Sequence, residues 1–425
     1  MYGLPNSSRN RPGVRLSLPS DGTQMRIAYV ANYQGPALVE QRPIVRNLSM
    51  SNRVKIELVA TLLHRESHDV TVVSQGEVVD HRLTLYPRLT EPVRFHEQIP
   101  VEYASCLPVK RLNGAWSSLN TVRLLRSLHR RDPFDLVVVF NLKWPQIAAA
   151  QCAMRTLRIP VVLQYEDDAF RSVHDERESP LAGAYTAACR RILQTVSGCI
   201  AVSPYLASQL PDTTPRMLLR GVVAPDLVAA ESLTRGQKQN RVVFAGTHIE
   251  SNGVAELIEG WKRLAPPGWE LHITGNGQLT PALQASAAGV PSIVFHGLVS
   301  REELVRILSS AKICINPHKV ADRPGVVFAF KLIEYLAVGA HVITTPMGDL
   351  ERDLEHGITY LPDNSPASIA TTLAAVINNG LHQKTAGPAA QRSYGLASVA
   401  QALRGLLVDA TADSRGSSLK PVQCS

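Results

Sequence analysis

Three adjacent carboxylates close the segment Gln164-Tyr165-Glu166-Asp167-Asp168, directly after the apolar run 160–165. Like charges set that close repel, so the group must be solvated, paired with cations, or used. Glu166 and Asp167 could hydrogen-bond substrate hydroxyls there, or accept a proton as a bond forms. Alternatively the charges sit at the start of a helix and pair with Arg171, Arg190 or Arg191. Asn141 and Lys143 follow another apolar run and could line the same place, whereas His174, beside Asp175 and Glu176, reads as a surface residue.

A second constellation stands at 330–345, FKLIEYLAVGAHVITT. Residues 331–338 have helix-forming composition, Gly339 supplies a stop and Pro324-Gly325 precede, so a loop enters a helix near Ala329. A phosphate at that start would meet the N–H groups of 328–331 and the positive end of the helix dipole, with Glu334 one turn inside. Otherwise Glu334 is merely well placed near a helix start, and Lys331 lays its stem along the surface.

Parallel strands linked by crossover helices would position both constellations. Short apolar runs rich in β-branched residues recur at 26–31, 70–74, 135–140, 160–165, 198–203 and 216–221, and again at 241–246, 270–275, 291–297, 312–317, 341–346 and 358–362. They are continuous instead of alternating, as expected of strands buried on both faces. Shorter strands are expected around 83–86 and 100–104. The expected fold class is therefore α/β, with two Rossmann-like, doubly wound parallel-sheet domains facing a cleft and ligands beyond the carboxyl ends of strands. The polar stretch 224–240 sets the boundary: a first domain over 25–222, a second over 223–392, and a helix over 393–410 that returns to the first. Residues 1–24 and 411–425 read as flexible, solvated tails.

At 425 residues and 45% hydrophobic content the chain can build two or three cores. No apolar run approaches the roughly 20 residues of a membrane-spanning helix, and 1–24 lack the apolar centre of a signal peptide, so a cytoplasmic protein is expected. The 6 cysteines are scattered, with no C-x-x-C pair, which suggests neither a disulfide framework nor a zinc site. A net charge of +8 favours nucleotide phosphates, anionic lipid or nucleic acid as partners. Aromatic content of 5% and dispersed basic residues make nucleic acid the unexpected one of the three.

The second half carries a family resemblance. VVFAGT at 242–247, TGNG at 274–277, FHGLVS at 295–300 and the 330–345 motif resemble the nucleotide-sugar-binding domain of GT-B glycosyltransferases, specifically the large retaining family 4. The likeness covers roughly 25–407, but its specific motifs lie almost wholly within 242–348. It implies a nucleotide sugar held by Gly246, Thr247, Gly275 and Asn276 at two strand ends, and by Phe330, Lys331 and Leu332 at the helix start. It further implies that Glu334 accepts hydrogen bonds from the ribose hydroxyls, a fitting role for a bidentate acceptor. Gly35, in the turn Asn32-Tyr33-Gln34-Gly35-Pro36, would let backbone approach the donor phosphates. The acidic segment at 164–168 resembles the acceptor-facing position of polysaccharide-assembly members.

Two departures from the family matter. Val326 stands where an E-x7-E pair has its earlier glutamate, which contacts the donor sugar, and the loop 246–253 has neither the Arg nor the Lys that commonly neutralise the leaving diphosphate. Charge accumulates there in the transition state, so another donor must substitute. The candidates are Thr247, His248 and Asn252, the helix start before Lys331, or, favoured, Lys319 and Arg323. No D-x-D motif stands near this site, so neither metal nor other cofactor is expected. Thr280 replaces the third glycine of a dinucleotide fingerprint after Gly275 and Gly277, which argues against NAD. The expected function is transfer of a sugar from a nucleotide diphosphate to a hydroxyl of a glycan, lipid-linked or secondary-metabolite acceptor, with retention and without metal. A non-catalytic GT-B scaffold and a nucleotide-sugar 2-epimerase are the alternatives, and peripheral contact with the inner face of an anionic membrane is compatible with each.

Overall fold

The computed structural model describes residues 24–42, 50–77, 84–93, 96–107, 113–170, 182–234, 236–319, 328–347 and 352–416. The described residues fall into two compact units, one from residues before Leu219 together with Ala400 onward, the other from Leu219–Val399. Both are parallel-sheet α/β units, the fold class expected.

In the first unit β1 (Arg26–Val30), β2 (Asp69–Ser74), β3 (Leu89–Val93), β4 (His96–Tyr103), β5 (Leu136–Phe140), β6 (Val161–Tyr165), β7 (Gly198–Ala201) and β8 (Arg216–Leu218) form one sheet in the order β3-β4-β2-β1-β5-β6-β7-β8. All neighbours run parallel except β3 and β4. Register sets Ile27 beside Val70 and Leu136, and Tyr29 beside Val72 and Val138. All six are buried, which is why these runs are apolar throughout. Of the strand expected around 83–86, Leu83 lies outside the described residues and over 84–86 Tyr86 makes an isolated bridge with Cys106, while the edge strand forms at Leu89–Val93. Pro92 hides it from a sequence reading, yet an edge strand tolerates proline because one side needs no ladder.

The last helix, Leu396–Gly416, runs into the stretch expected to be a tail. It buries Leu403, Leu406, Leu407 and Ala410 at helical spacing. Gly198 of β7 makes room for it, since a Cβ there would lie 3.1 Å from Ala410 Cβ and 3.2 Å from Leu406 Cδ1. Arg404 Nε pairs with Glu66 Oε2 at 2.5 Å. Leu406→Ala should therefore cost about 2–4 kcal/mol, read as a lower urea midpoint at unchanged slope.

In the second unit β9 (Gln239–Ala245), β10 (Glu270–Thr274), β11 (Ile293–Gly297), β12 (Ala311–Asn316), β13 (His341–Thr344) and β14 (Ile358–Tyr360) form a wholly parallel sheet in the order β11-β10-β9-β12-β13-β14. Phe244, Leu257, Ile258, Trp261, Ile369 and Leu373 anchor its core. The helix Val254–Leu264 lies close against Pro366–Asn378, where a Cβ on Gly260 would approach the Pro366 carbonyl oxygen to 2.9 Å. Strand order reverses between β9 and β12, and a crevice beyond their carboxyl ends is where such sheets take ligands. No described helix is long and apolar enough to cross a membrane.

Candidate functional site

Lys331, the first residue of the helix Lys331–Ala337, reaches the switch point between β9 and β12. Its ammonium lies 4.5 Å from the centroid of the buried Phe244 ring. A Cβ on Gly246, just beyond β9, would stand 3.3 Å from that nitrogen, so the missing side chain leaves the ammonium its space. Burial pulls Lys331 down to about 7, and no described carboxylate offsets that. Beyond β12 the neighbouring His318 is lowered to about 4, by burial first and then by the Lys331 charge. Its Nδ1 lies 3.2 Å from Asn252 Oδ1, and Asn252 Nδ2 donates to the Thr247 carbonyl at 2.7 Å, tying the loops after β9 and β12 together. A cation with no described counter-charge, beside a glycine at a switch point, has the chemistry to take an anion, whose arrival would favour the charged lysine.

The glycines of the two strand-end loops serve each other. Gly275 has φ +112°, and a Cβ on it would fall 1.9 Å from the Gly246 carbonyl oxygen. His248 N donates to the Asn276 carbonyl at 3.0 Å. The Asn276 side chain turns onto its own loop, accepting from Gly277 N at 2.7 Å and Thr280 Oγ1 at 2.9 Å. Gly275 and Asn276, expected at a nucleotide, thus build the loop. Thr247 is exposed, whereas His248 is buried against Thr280 and lowered by that burial.

At the helix start, Leu332 N donates to the Ala329 carbonyl at 2.9 Å and Ile333 N to Phe330 at 3.1 Å. Leu332 is fully buried, so the residue expected to touch a nucleotide belongs to the core. Phe330, half-buried, precedes the helix with right-handed helical backbone. Glu334 is held: Arg301 Nη1 donates to its Oε1 at 2.8 Å, while Arg301 Nε and Nη2 donate to Asp226 Oδ2 and Oδ1 at 2.8 and 3.1 Å. Burial opposes the Arg301 charge, but hydrogen bonds to Asp226 and Glu334 carry it above the ordinary arginine value. The sequence reading missed Asp226 and Arg301; the only trace is an arginine opening the helix Arg301–Ser310 just after FHGLVS.

Lys319, the favoured substitute cation, is already balanced by Glu250 Oε1 at 3.0 Å and Glu256 Oε1 at 3.2 Å. Lys331, by contrast, has no carboxylate beside it among the described residues. Arg323 and Val326 lie outside the described residues.

In the first unit the turn after β1 is filled by the chain's own carboxylate. Glu91 accepts from Ala37 N at 2.8 Å, Leu38 N at 3.3 Å and Tyr103 Oη at 2.6 Å, while Gly35 N donates to Tyr103 Oη at 2.9 Å. A Cβ on Gly35 would lie 2.3 Å from Glu91 Oε1. The donor phosphates expected at Gly35 would meet a carboxylate, and the glycine serves to admit Glu91.

The acidic segment after β6 is resolved into three different environments. Glu166 turns inward, 1% exposed, with Lys55 Nζ 2.7 Å from Oε2 and Gln164 Nε2 donating to Oε1 at 2.8 Å. Asn141, held at φ +59°, accepts from Glu166 N at 2.8 Å and Asp167 N at 3.0 Å and donates to Asp167 Oδ2 at 2.8 Å. Asp168 is buried, accepting from Tyr205 Oη at 3.1 Å and Phe170 N at 3.0 Å. Asp167 alone of the three stays exposed. The partner of Glu166 is Lys55, which the sequence reading did not pair with it, and Arg190 instead lies over the Phe170 ring at 6.0 Å. Among the described residues no three His, Cys, Asp or Glu side chains gather to hold a metal ion.

Two doubly wound sheets, one with a lysine ammonium at its switch point, define a class that comparison with known proteins makes specific. Residues 239–379 match the family described as Glycosyl transferases group 1, and residues 53–216 match the Glycosyl transferase 4-like domain. These matches span most of both units, and the chain belongs to the GT-B glycosyltransferases. A sucrose-phosphate synthase from Thermosynechococcus elongatus is similar in fold, with TM-score 0.63 at 14% identity over 90% of this chain and 98% of that one. Anabaena HepE in complex with UDP gives 0.61 at 13%, over 90% and 99%. A UDP-forming trehalose-phosphate synthase from Burkholderia xenovorans gives 0.62 at 12%, over 92% and 99%. No curated protein sequence matches the chain.

Proposed function

We propose that this glycosyltransferase binds the diphosphate of a nucleotide sugar at Lys331 and passes the sugar, with retention and without a metal ion, to a hydroxyl of a glycan, lipid-linked or secondary-metabolite acceptor. The observation that carries the reading is the uncompensated Lys331 ammonium, 4.5 Å from the Phe244 ring centroid at the switch point of the second sheet. A diphosphate supplies the missing counter-charge, and the lysine stabilises that charge most as the glycosidic C–O bond breaks. The leaving phosphate oxygen takes the acceptor's proton while the new C–O bond forms on the same sugar face. Glu334 keeps one carboxylate oxygen, Oε2, for ribose, since its described partner Arg301 binds Oε1. Asp167, the exposed member of the acidic segment, is the group for acceptor hydroxyls. The net charge of +8 would favour an acceptor presented at an anionic membrane.

Purified protein incubated with UDP-, GDP-, ADP- and dTDP-sugars, with and without EDTA, should bind one donor class and slowly release its nucleoside diphosphate in either condition. Glu334→Ala should weaken donor binding about tenfold or more. Absence of binding by every donor would refute the reading, and conversion of donor to an epimer without acceptor would replace it.

A further inference from the structure

We propose that Asp226 and Arg301 are positioning residues that hold Glu334 as a ribose acceptor and so make the site selective for ribonucleotides. The inference rests on the donor-site reading above and adds two residues to it. Arg301 is fixed first: Asp226 takes its Nε and Nη2 in a two-pronged pair at 2.8 and 3.1 Å, leaving Nη1 for Glu334 Oε1 at 2.8 Å. A guanidinium gripped along one edge has little freedom, so the carboxylate it holds is fixed in turn. Arg301 and Glu334 side chains are each 14% exposed and Asp226 28%, so the cluster is screened less than a surface ion pair.

The charge count explains why two carboxylates flank one cation. Arg301 and Glu334 alone would form a neutral pair, with the carboxylate's acceptor strength spent on its partner. Asp226 balances the guanidinium, so the three groups together keep one negative charge, available at Glu334 Oε2. A vicinal diol offers two O–H donors to such an acceptor, and a 2′-deoxyribose offers one fewer. Asp226, Arg301 and Glu334 come from three separate elements, the helix Pro225–Thr234, the start of Arg301–Ser310 and the helix Lys331–Ala337, so the cluster also fixes where Glu334 stands in the unit.

The test measures affinities of UDP, ADP and GDP, each against its 2′-deoxy counterpart, by isothermal titration for the wild type, Glu334→Ala, Arg301→Met, Arg301→Lys and Asp226→Asn. The wild type should prefer the ribonucleotide of its class by about tenfold or more. Arg301→Met should lose that preference as fully as Glu334→Ala while still binding the diphosphate, Arg301→Lys should recover part of it, and Asp226→Asn should reduce it several-fold. Should Arg301→Met fail to fold, Asp226→Asn, which leaves the Arg301–Glu334 contact in place, decides. Retention of the full preference by folded Arg301→Met or by Asp226→Asn, while Glu334→Ala loses it, overturns the positioning role and leaves the donor reading intact. No preference in the wild type, or none lost in Glu334→Ala, overturns both.

Discussion

Lys331→Met should weaken nucleotide-sugar binding by about tenfold to a hundredfold and, in the same protein, raise the stability of the empty form. The two effects have one cause. The ammonium sits against Phe244 with burial lowering it to about 7, so the ligand-free fold carries an unfavourable group that a diphosphate converts into a favourable contact. Removing it relieves the empty protein and deprives the ligand. The pH dependence has a definite sign. A nucleotide sugar's diphosphate diester keeps its charge near neutrality, so affinity follows the lysine: full below about 7 and falling as pH rises through it, by about tenfold between pH 6 and 8. Lys331→Met should bind with a flat profile over that range. Wild-type stability should run the other way, rising between about pH 7 and the ordinary lysine value of 10.5, because there the unfolded chain holds a proton the folded one has released. Titration calorimetry at three pH values and urea unfolding would check both; a wild-type affinity flat in pH would remove Lys331 from the diphosphate site.

Lys55→Met should cost about 3–5 kcal/mol of stability, because it takes the cation away from a buried carboxylate. Glu166, at 1% exposed, would be left buried without its cation, with Gln164 Nε2 as the described side-chain donor that remains. The reverse change, Glu166→Gln, should be milder, about 1–2 kcal/mol, since Lys55 is 14% exposed and can turn its ammonium to water. The double variant should be more stable than Lys55→Met alone, because neutralising Glu166 removes the stranded charge. Urea midpoints for the three proteins give the coupling directly, and additive costs would mean the two side chains do not depend on each other.

Most of the sheet framework was legible because parallel strands buried on both faces write themselves as unbroken β-branched runs. The edge strand Leu89–Val93 was not, since Pro92 and alternating polar residues give it no such signature. At the site, the helix carrying Lys331 and Glu334 was readable from its stop at Gly339 and its composition. Which cations were spent was not. Lys319 and Lys331 look equivalent along the chain, and only the fold brings Glu250 and Glu256 to the first and none of the described carboxylates to the second. The same holds for Glu334, whose partners lie 33 residues away and, through Arg301, a further 75. Gly35 was misread for a related reason: its turn is answered by Glu91, which interacts with Ala37 across 54 residues.

The helix Leu396–Gly416 begins in the second unit and from Ala400 belongs to the first, so the polypeptide that completes the first sheet's covering is made only after the whole of the second unit. A fragment cut after Leu218 would leave β7 bare along Gly198 where Leu406 and Ala410 should rest. Such a half should aggregate when expressed alone and become soluble when residues 396–416 are fused to it through a flexible tether, so any dissection of this enzyme into separate halves has to be a transplantation and not a simple truncation.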